Sequence, residues 1–258
     1  MSVNSYLQNL ASELVLSSYE KDHVATSLDA IKSRLSLCFG NEVKEKKVFG
    51  SYDRETILPR KADEKSDIDL MVVFDNLNNY KPQTYLNKLK SFAERYYSSS
   101  EIYQSNPTIV LELQHIKFEL TPAYRVYGLL YYIPRNQSEW MITDPDGFSN
   151  TLVECNKNNG SKIKPVVRLL KHWNIQKNLR DIASFELEKT IANDLMYEYY
   201  ASTTYVDYVK AGLGKIKYKT DYSKVNMAIE HINKAISFED QGKPYSALEE
   251  IKKAFPEI

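Results

Sequence analysis

Apolar residues recur at helical spacing near the start of the chain. Val24, Leu28, Ile31 and Leu35 fall on one stripe, and Gly40 follows them. Residues three and four positions apart share one face of a helix, and glycine commonly marks a helix end. The spacing therefore predicts an amphipathic helix that ends near residue 40.

Four shorter apolar runs predict β-strands. They cover residues 48–49, 68–74, 108–113 and 116–120. The run at 68–74 is apolar on both faces, which is typical of an interior strand. Gln114 and His115 separate the last two runs and are predicted to form a hairpin turn. Pro122 is predicted to stop the sheet, because proline cannot donate to a strand ladder, and strand signals fade beyond about Ala123.

The rest of the chain has mainly helical spacing. We predict further helices over residues 85–97, 185–200 and 222–238, and one whose buried face carries Ile163, Val167, Leu170 and Trp173. The glycine-containing stretch at 212–221 is predicted to form a loop.

This layout predicts an α+β fold with two lobes. A mixed central β-sheet flanked by helices is expected in residues 1–125, and a helical lobe in residues 126–258 completes a cleft between them. The first helices are expected to bridge both lobes.

Composition narrows the classes of function. Of the 258 residues, 43% are hydrophobic and 26% are charged, as in a folded globular protein. Lys plus Arg and Asp plus Glu each number 34, so the net charge of zero argues against nucleic-acid binding through bulk charge. Cys38 and Cys155 have no metal-ligand spacing and are expected to be reduced, buried thiols. With neither a signal-peptide pattern nor an apolar run near the ~20 residues that span a bilayer, we expect a cytoplasmic protein without membrane contact.

Two aspartates open the run at 68–74. Asp67 and Asp69 are two positions apart in a predicted strand, so their side chains point to one face while Ile68 points to the other. Carboxylates held this close repel, and each is expected to raise the pKa of the other. A divalent cation removes the conflict, and Mg²⁺ is commonly held by one or two carboxylates together with substrate phosphates.

Further polar groups accompany this pair. If the strand at 116–120 lies beside the strand at 68–74, Glu119 reaches the same metal centre as Asp67 and Asp69. Three carboxylates on neighbouring strands suit a two-metal displacement at phosphorus. The preceding Gly50 and Ser51 offer close backbone approach, exposed N–H groups and a hydroxyl for phosphate oxygens.

These segments, in their order along the chain, resemble a known superfamily. The carrying stretches are FGSYDRETILP at 49–59, SDIDLMVVF at 66–74, FELTPAY at 118–124 and VVRLLKHWN…SFELE at 166–188. They resemble the polymerase-β-like nucleotidyltransferases, and within them the bacterial cGAS/DncV-like enzymes (CD-NTases) and the oligoadenylate-synthetase-like enzymes. The resemblance implies that Mg²⁺, or Mn²⁺, is the cofactor and that nucleoside triphosphates (ATP, GTP or both) are the substrates.

In the sheet lobe, the resemblance implies roles for five residues. Gly50 and Ser51 would bind nucleotide phosphates, while Asp67, Asp69 and Glu119 would hold the metal ions and act in catalysis.

In the helical lobe, the resemblance implies that Lys171 contacts the triphosphate, that Ser184 also binds the nucleotide and that Phe185 stacks on the base. Each residue also has a simpler interpretation. Lys171 is equally expected as a solvated surface residue, Ser184 as a helix cap and Phe185 as a core residue.

The implied reaction is attack of a hydroxyl on the α-phosphorus of a nucleoside triphosphate with release of pyrophosphate. The favoured product is a cyclic or linear oligonucleotide second messenger in anti-phage defence. One alternative is a toxin-type enzyme that modifies RNA, such as a tRNA 3′ end, or a protein. The other is a catalytically weak nucleotide sensor, because the third acid, Glu119, is usually aspartate in the superfamily and the chain is short for a complete synthase. An RNA or a regulatory protein is an expected partner.

Overall fold

The structure is a computed structural model that describes residues 1–126, 130–194 and 198–258. Its helices are α1 (Val3–Glu13), α2 (Ser18–Phe39), α3 (Gly50–Asp53), α4 (Pro82–Tyr96), α5 (Pro145–Asn158), α6 (Ile163–Gln176), α7 (Ser184–Asp194), α8 (Tyr205–Ile216), α9 (Tyr222–Asp240) and α10 (Pro244–Ala254). Its strands are β1 (Val43–Phe49), β2 (Asp67–Phe74), β3 (Glu101–Ser105), β4 (Thr108–Glu112), β5 (Lys117–Arg125), β6 (Tyr131–Pro134) and β7 (Trp140–Thr143). The predicted α+β class is therefore confirmed.

The chain divides into two compact units. One, here called the sheet unit, consists of Ser17–Arg54 and Lys65–Gly147. The other, here called the helical unit, consists of Met1–Leu16, Glu55–Glu64 and Phe148–Ile258. The sheet unit continues past the expected division at residues 125/126 because β6 and β7 extend the sheet. Of the first two helices, α1 belongs to the helical unit and α2 to the sheet unit.

All the strands of the described chain join one mixed sheet. The spatial order is β1-β2-β5-β4-β3, with β6 paired to β5 and β7 paired to β6. Strands β2 and β5 run parallel, and the other pairs are antiparallel. The interior position of β2 explains why its residues from Leu70 to Phe74 are all buried. The hairpin predicted at Gln114 and His115 joins β4 to β5.

Proline did not stop the sheet. Pro122 lies inside β5, where it is in register with Val72 of β2. On the other side of β5, the ladder with β4 ends at Leu120 and the ladder with β6 begins at Tyr124. Pro122 falls between these two ladders, where a missing N–H is tolerated. The prediction that Pro122 ends the sheet was therefore wrong.

Helix α2 matches the prediction for the N-terminal region. Val24, Leu28, Ile31 and Leu35 are buried along one stripe, and Gly40 closes the helix with a φ of 51°. Helices α4 and α9 likewise cover the segments predicted at 85–97 and 222–238. The helix predicted over 185–200 corresponds to α7 and to a 3₁₀ turn at Glu198–Ala201, while residues 195–197 lie outside the described residues.

The helical unit is built around α6. Ile163, Val167, Leu170 and Trp173 are buried, as the spacing predicted. Gly212 in α8 packs against this helix, and a Cβ atom added to it would lie 2.5 Å from Leu170 Cδ1. The loop prediction for 212–221 was therefore wrong in its first half, because glycine here permits close helix packing rather than a turn.

Two hydrogen bonds anchor the last residues to the helical unit. The hydroxyl of Tyr6 in α1 donates to the carbonyl of Phe255 at 2.6 Å. The Nε2 atom of His172 in α6 lies 2.8 Å from the carbonyl of Pro256. The first and last helices of this unit thus share one core, which includes Tyr6, Leu7, Leu10, Ile251 and Phe255.

Among the described residues, no helix combines the length and the apolarity needed to cross a bilayer. Cys155 is buried, as expected, whereas Cys38 is only partly buried, and both are free thiols.

Candidate active site

Parallel pairing of β2 with β5 gathers four charged side chains. Asp67 is in register with Lys117, and Asp69 is in register with Glu119. Paired residues and residues two apart in a strand share a face. The three predicted acids therefore lie together on one face of the sheet, at the start of both strands. They are called the acid cluster below.

Gly50 adjoins the acid cluster through the end of β1. Phe49, the last residue of β1, is in register with Asp69, and Gly50 begins the single turn of α3. The φ of Gly50 is +74°, and an added Cβ would lie 1.8 Å from Asp69 Oδ2. Only glycine lets the main chain adopt this φ and approach the carboxylate so closely. Ser51, the next residue, is half-buried.

Burial is the largest influence on the pKa values of Asp67 and Asp69. It raises the pKa of Asp69, and the negative charges of Asp67 and Glu119 raise it further. Burial also raises the pKa of Asp67, with Glu119 as the next cause. The expected mutual repulsion is therefore present, but it ranks behind desolvation. Such groups carry their negative charge only at an energetic cost unless a cation is near.

Two basic residues that were not predicted from the sequence supply positive charge to the acid cluster. Lys117 Nζ lies 3.2 Å from Asp67 Oδ2 and 3.1 Å from Glu119 Oε1. Burial alone would lower the pKa of Lys117, but the two carboxylates outweigh this and raise it. Arg54 is buried, donates its backbone N–H to the Gly50 carbonyl at 3.2 Å and lowers the pKa of Asp69.

The donor set of the acid cluster suits a hard divalent cation, since Mg²⁺ and Mn²⁺ prefer carboxylate oxygens. The arrangement does not yet form a metal cage. Within the described parts of the chain, no three acidic, histidine or cysteine side chains converge on one metal position. The Lys117 ammonium instead lies between Asp67 and Glu119. The residues therefore fit a divalent metal in their chemistry.

The remaining predicted site residues belong to the helical unit. Lys171 in α6 is only 5% exposed, and its ammonium pairs with Glu188 of α7 and contacts the Thr56 carbonyl at 3.1 Å. It is therefore not the solvated surface residue considered above. Its buried partner Glu188 lies 17 positions further along the chain, beyond the reach of any helical spacing rule.

Ser184 and Phe185 both begin α7. Ser184 is exposed and is the first residue of the helix. Phe185 is 48% exposed, with its ring 5.1 Å from the ring of Phe148 in an edge-to-face contact. Phe185 is therefore not a core residue, and much of its surface remains accessible.

The backbone resembles those of several solved bacterial proteins. Escherichia coli MS115-1 CdnC with ATP matches with a TM-score of 0.73 and 13% identity, covering 98% of this chain and 97% of that one. Vibrio cholerae DncV cyclic AMP-GMP synthase matches with a TM-score of 0.74 and 13% identity, covering 95% and 92%. Elizabethkingia meningoseptica CdnE, with GTP and Apcpp, matches with a TM-score of 0.62 and 19% identity, covering 78% and 81%. The fold is that of the CD-NTase nucleotidyltransferases.

Sequence comparison defines the family. Residues 1–156 match the model of the Second Messenger Oligonucleotide or Dinucleotide Synthetase (SMODS) domain, and the chain belongs to this family of nucleotidyltransferases, as the resemblance predicted. A Cyclic AMP-AMP-AMP synthase from an Acinetobacter strain is 26% identical over 156 residues. That match covers 57% of this chain and 45% of the relative, so the chain spans less than half of the relative's length.

Proposed function

We propose that this chain transfers a nucleoside monophosphate from a nucleoside triphosphate to a ribose hydroxyl, releases pyrophosphate and so makes a cyclic or linear oligonucleotide signal for anti-phage defence. The observation that carries the proposal is the register of β2 and β5. It sets Asp69 beside Glu119, with Asp67 on the same face and Gly50 against the Asp69 carboxylate.

Each residue of the acid cluster has a stated task. Asp67, Asp69 and Glu119 would hold Mg²⁺ or Mn²⁺, which would polarise the α-phosphate and favour ionisation of the attacking hydroxyl. Glu119 is also placed to accept the proton of that hydroxyl. Its Oε2 atom lies 3.3 Å from the hydroxyl of Thr108, which also donates to the Ser105 carbonyl at 2.9 Å.

Nucleotide binding is assigned to both units. In the sheet unit, Gly50 and Ser51 would contact the phosphates, where fixed N–H and hydroxyl dipoles stabilise charge in transfer reactions. In the helical unit, the accessible ring of Phe185 would stack on a base, and the adjacent Ser184 would donate a hydrogen bond. Lys171 can assist the triphosphate only if its pair with Glu188 opens.

ATP and GTP are the proposed substrates, since the CdnC and CdnE structures above contain ATP and GTP respectively. A regulatory protein is a proposed partner, because another CdnC structure is a complex with a HORMA protein.

The test is incubation of the purified chain with labelled ATP and GTP and Mg²⁺, followed by mass spectrometry of the products. We expect oligonucleotide product without an added acceptor. Asp67→Asn and Asp69→Asn should lower turnover by about a thousandfold or more, because several kcal/mol of charge stabilisation are lost. Asp75→Asn is the matched control, since Asp75 follows the other end of β2 and pairs with Lys44 at 3.8 Å.

Unchanged turnover in the two aspartate variants would refute the site assignment. Product that forms only after RNA or a protein acceptor is added would instead identify a tailing or modifying enzyme. Nucleotide binding without product under any divalent metal would identify a sensor.

A further inference from the structure

Lys117 occupies an unusual position for a sheet lysine. Its side chain is 17% exposed, and its ammonium bridges Asp67 Oδ2 at 3.2 Å and Glu119 Oε1 at 3.1 Å. The bridge follows from the fold, because Lys117 is in register with Asp67 and shares a face with Glu119. A cation carried by the chain thus sits between two residues that the proposed function assigns to metal binding.

The contacts of Lys117 and those of a metal compete. Mg²⁺ and Mn²⁺ bind carboxylate oxygens directly, and an oxygen facing an ammonium must be released before it can turn to a metal. The acids do not depend on Lys117 alone for their placement. Asp67 is fixed by its position on β2, and Glu119 also contacts Thr108.

We infer that Lys117 is a tethered counter-ion that holds Asp67 and Glu119 together in the metal-free protein and is displaced when metal binds. Lys117 is therefore a positioning residue that sets how much divalent metal is needed to load the site. This inference rests on the proposed function, since it takes the acid cluster as the metal site.

Replacing Lys117 with a neutral residue should lower the stability of the metal-free protein and raise its affinity for metal. Removing the ammonium leaves the acid cluster with less positive charge, so the metal-free protein becomes less stable. The same change removes a competitor for the oxygens, so the metal binds more tightly. A lysine that only helped to orient metal ligands would have the reverse effect on affinity.

The test compares Lys117→Met with wild type in the absence of nucleotide. Calorimetric titration with MnCl₂ should show a Kd for Mn²⁺ at least about tenfold lower in the variant, equivalent to about 1.4 kcal/mol. In EDTA the Tm of the variant should be lower than that of wild type. Excess Mn²⁺ should raise the Tm of the variant by more than it raises the Tm of wild type. In turnover assays, the Mn²⁺ concentration for half-maximal rate should fall in parallel.

Lys47→Met is the matched control. Lys47 lies on β1 of the same sheet, its side chain is 21% exposed, and it pairs with Asp146 at 2.7 Å. The Mn²⁺ affinity of the Lys47→Met protein should equal that of wild type. Lys117→Gln, which is neutral but can still donate hydrogen bonds, replaces Lys117→Met if the methionine variant does not fold, and should also bind Mn²⁺ more tightly.

Equal or weaker Mn²⁺ binding in a folded Lys117 variant would overturn the inference while leaving the proposed function intact. Absence of Mn²⁺ binding in both wild type and the Lys117 variants, in calorimetry and in Tm, would overturn the metal assignment of the proposed function itself. The two failures are therefore distinguishable.

Discussion

Replacing Gly50 with alanine should damage both stability and catalysis. The φ of +74° places Gly50 in the left-handed region, where a side chain costs about 1–2 kcal/mol. The new Cβ would also meet Asp69 at 1.8 Å from Oδ2, 2.7 Å from Cγ and 3.0 Å from Cβ. Turning the carboxylate relieves the first contact only, so the backbone of β2 must also move. Forced packing of this kind costs about 1–3 kcal/mol more.

The expected loss in the free energy of unfolding is therefore about 2–5 kcal/mol, measured by urea denaturation followed by circular dichroism. Gly242→Ala separates the two contributions. Gly242 has a φ of +70°, but no described atom beyond its chain neighbours lies within 4 Å of an added Cβ. This control should lose only the backbone part, about 1–2 kcal/mol, and keep its turnover.

Turnover of the folded Gly50→Ala protein should fall at least about tenfold, because the displaced Asp69 no longer faces its partners and each 1.36 kcal/mol lost in the transition state is a factor of ten. Equal destabilisation of the two variants, with normal turnover in Gly50→Ala, would show that the carboxylate of Asp69 does not lie against Gly50.

Two further predictions concern the helical unit. Lys171→Met removes the ammonium that pairs with the buried carboxylate of Glu188 and should lower the free energy of unfolding by about 3–5 kcal/mol. Combining it with Glu188→Gln should recover part of this loss, and an additive loss in the double variant would contradict the pairing. Burial lowers the pKa of His172, and its buried Nδ1 has no hydrogen-bond partner among the described residues. The unfolded chain therefore takes up a proton first as the pH falls through about 6.5. Stability should therefore decrease below that pH, and the decrease between pH 7.5 and 5 should be less steep in His172→Gln; identical slopes in urea denaturation would contradict this.

The sequence pattern predicted the centre of the sheet well. The run at 68–74 is long and apolar on both faces, which leaves few alternatives to an interior strand. Its pairing with the strand of Glu119 was a conditional expectation, and the register between Asp69 and Glu119 bears it out. The roles of these residues in catalysis remain a prediction.

The short outer strands could not be predicted in the same way. Strands β6 and β7 have four residues each, and β7 is largely exposed. They are stabilised by their neighbours in the sheet rather than by their own apolar alternation, which a single sequence does not reveal. The same holds for Gly212, whose helical position depends on the proximity of Leu170.

Some charged contacts of the site could be predicted from the sequence and others could not. Lys117 was within reach, because it lies two positions before Glu119 in a predicted strand and must share its face. Arg54 follows Gly50 by one helical turn, yet no pattern indicates that it would be buried. The pairing of Lys171 with Glu188 depends on two helices packing together, so only the structure could supply it.

The discontinuous make-up of the helical unit sets an order for folding on the ribosome. Helix α1 buries Leu7 and Leu10 in a core that also contains Ile251 and Phe255. At 5–20 residues per second, these partners are made roughly 10–50 s after α1. The sheet unit, complete once Gly147 has emerged, can fold during this interval. The apolar stripe of α1 meanwhile lacks its completed core, so it cannot be fully buried until α10 has been made.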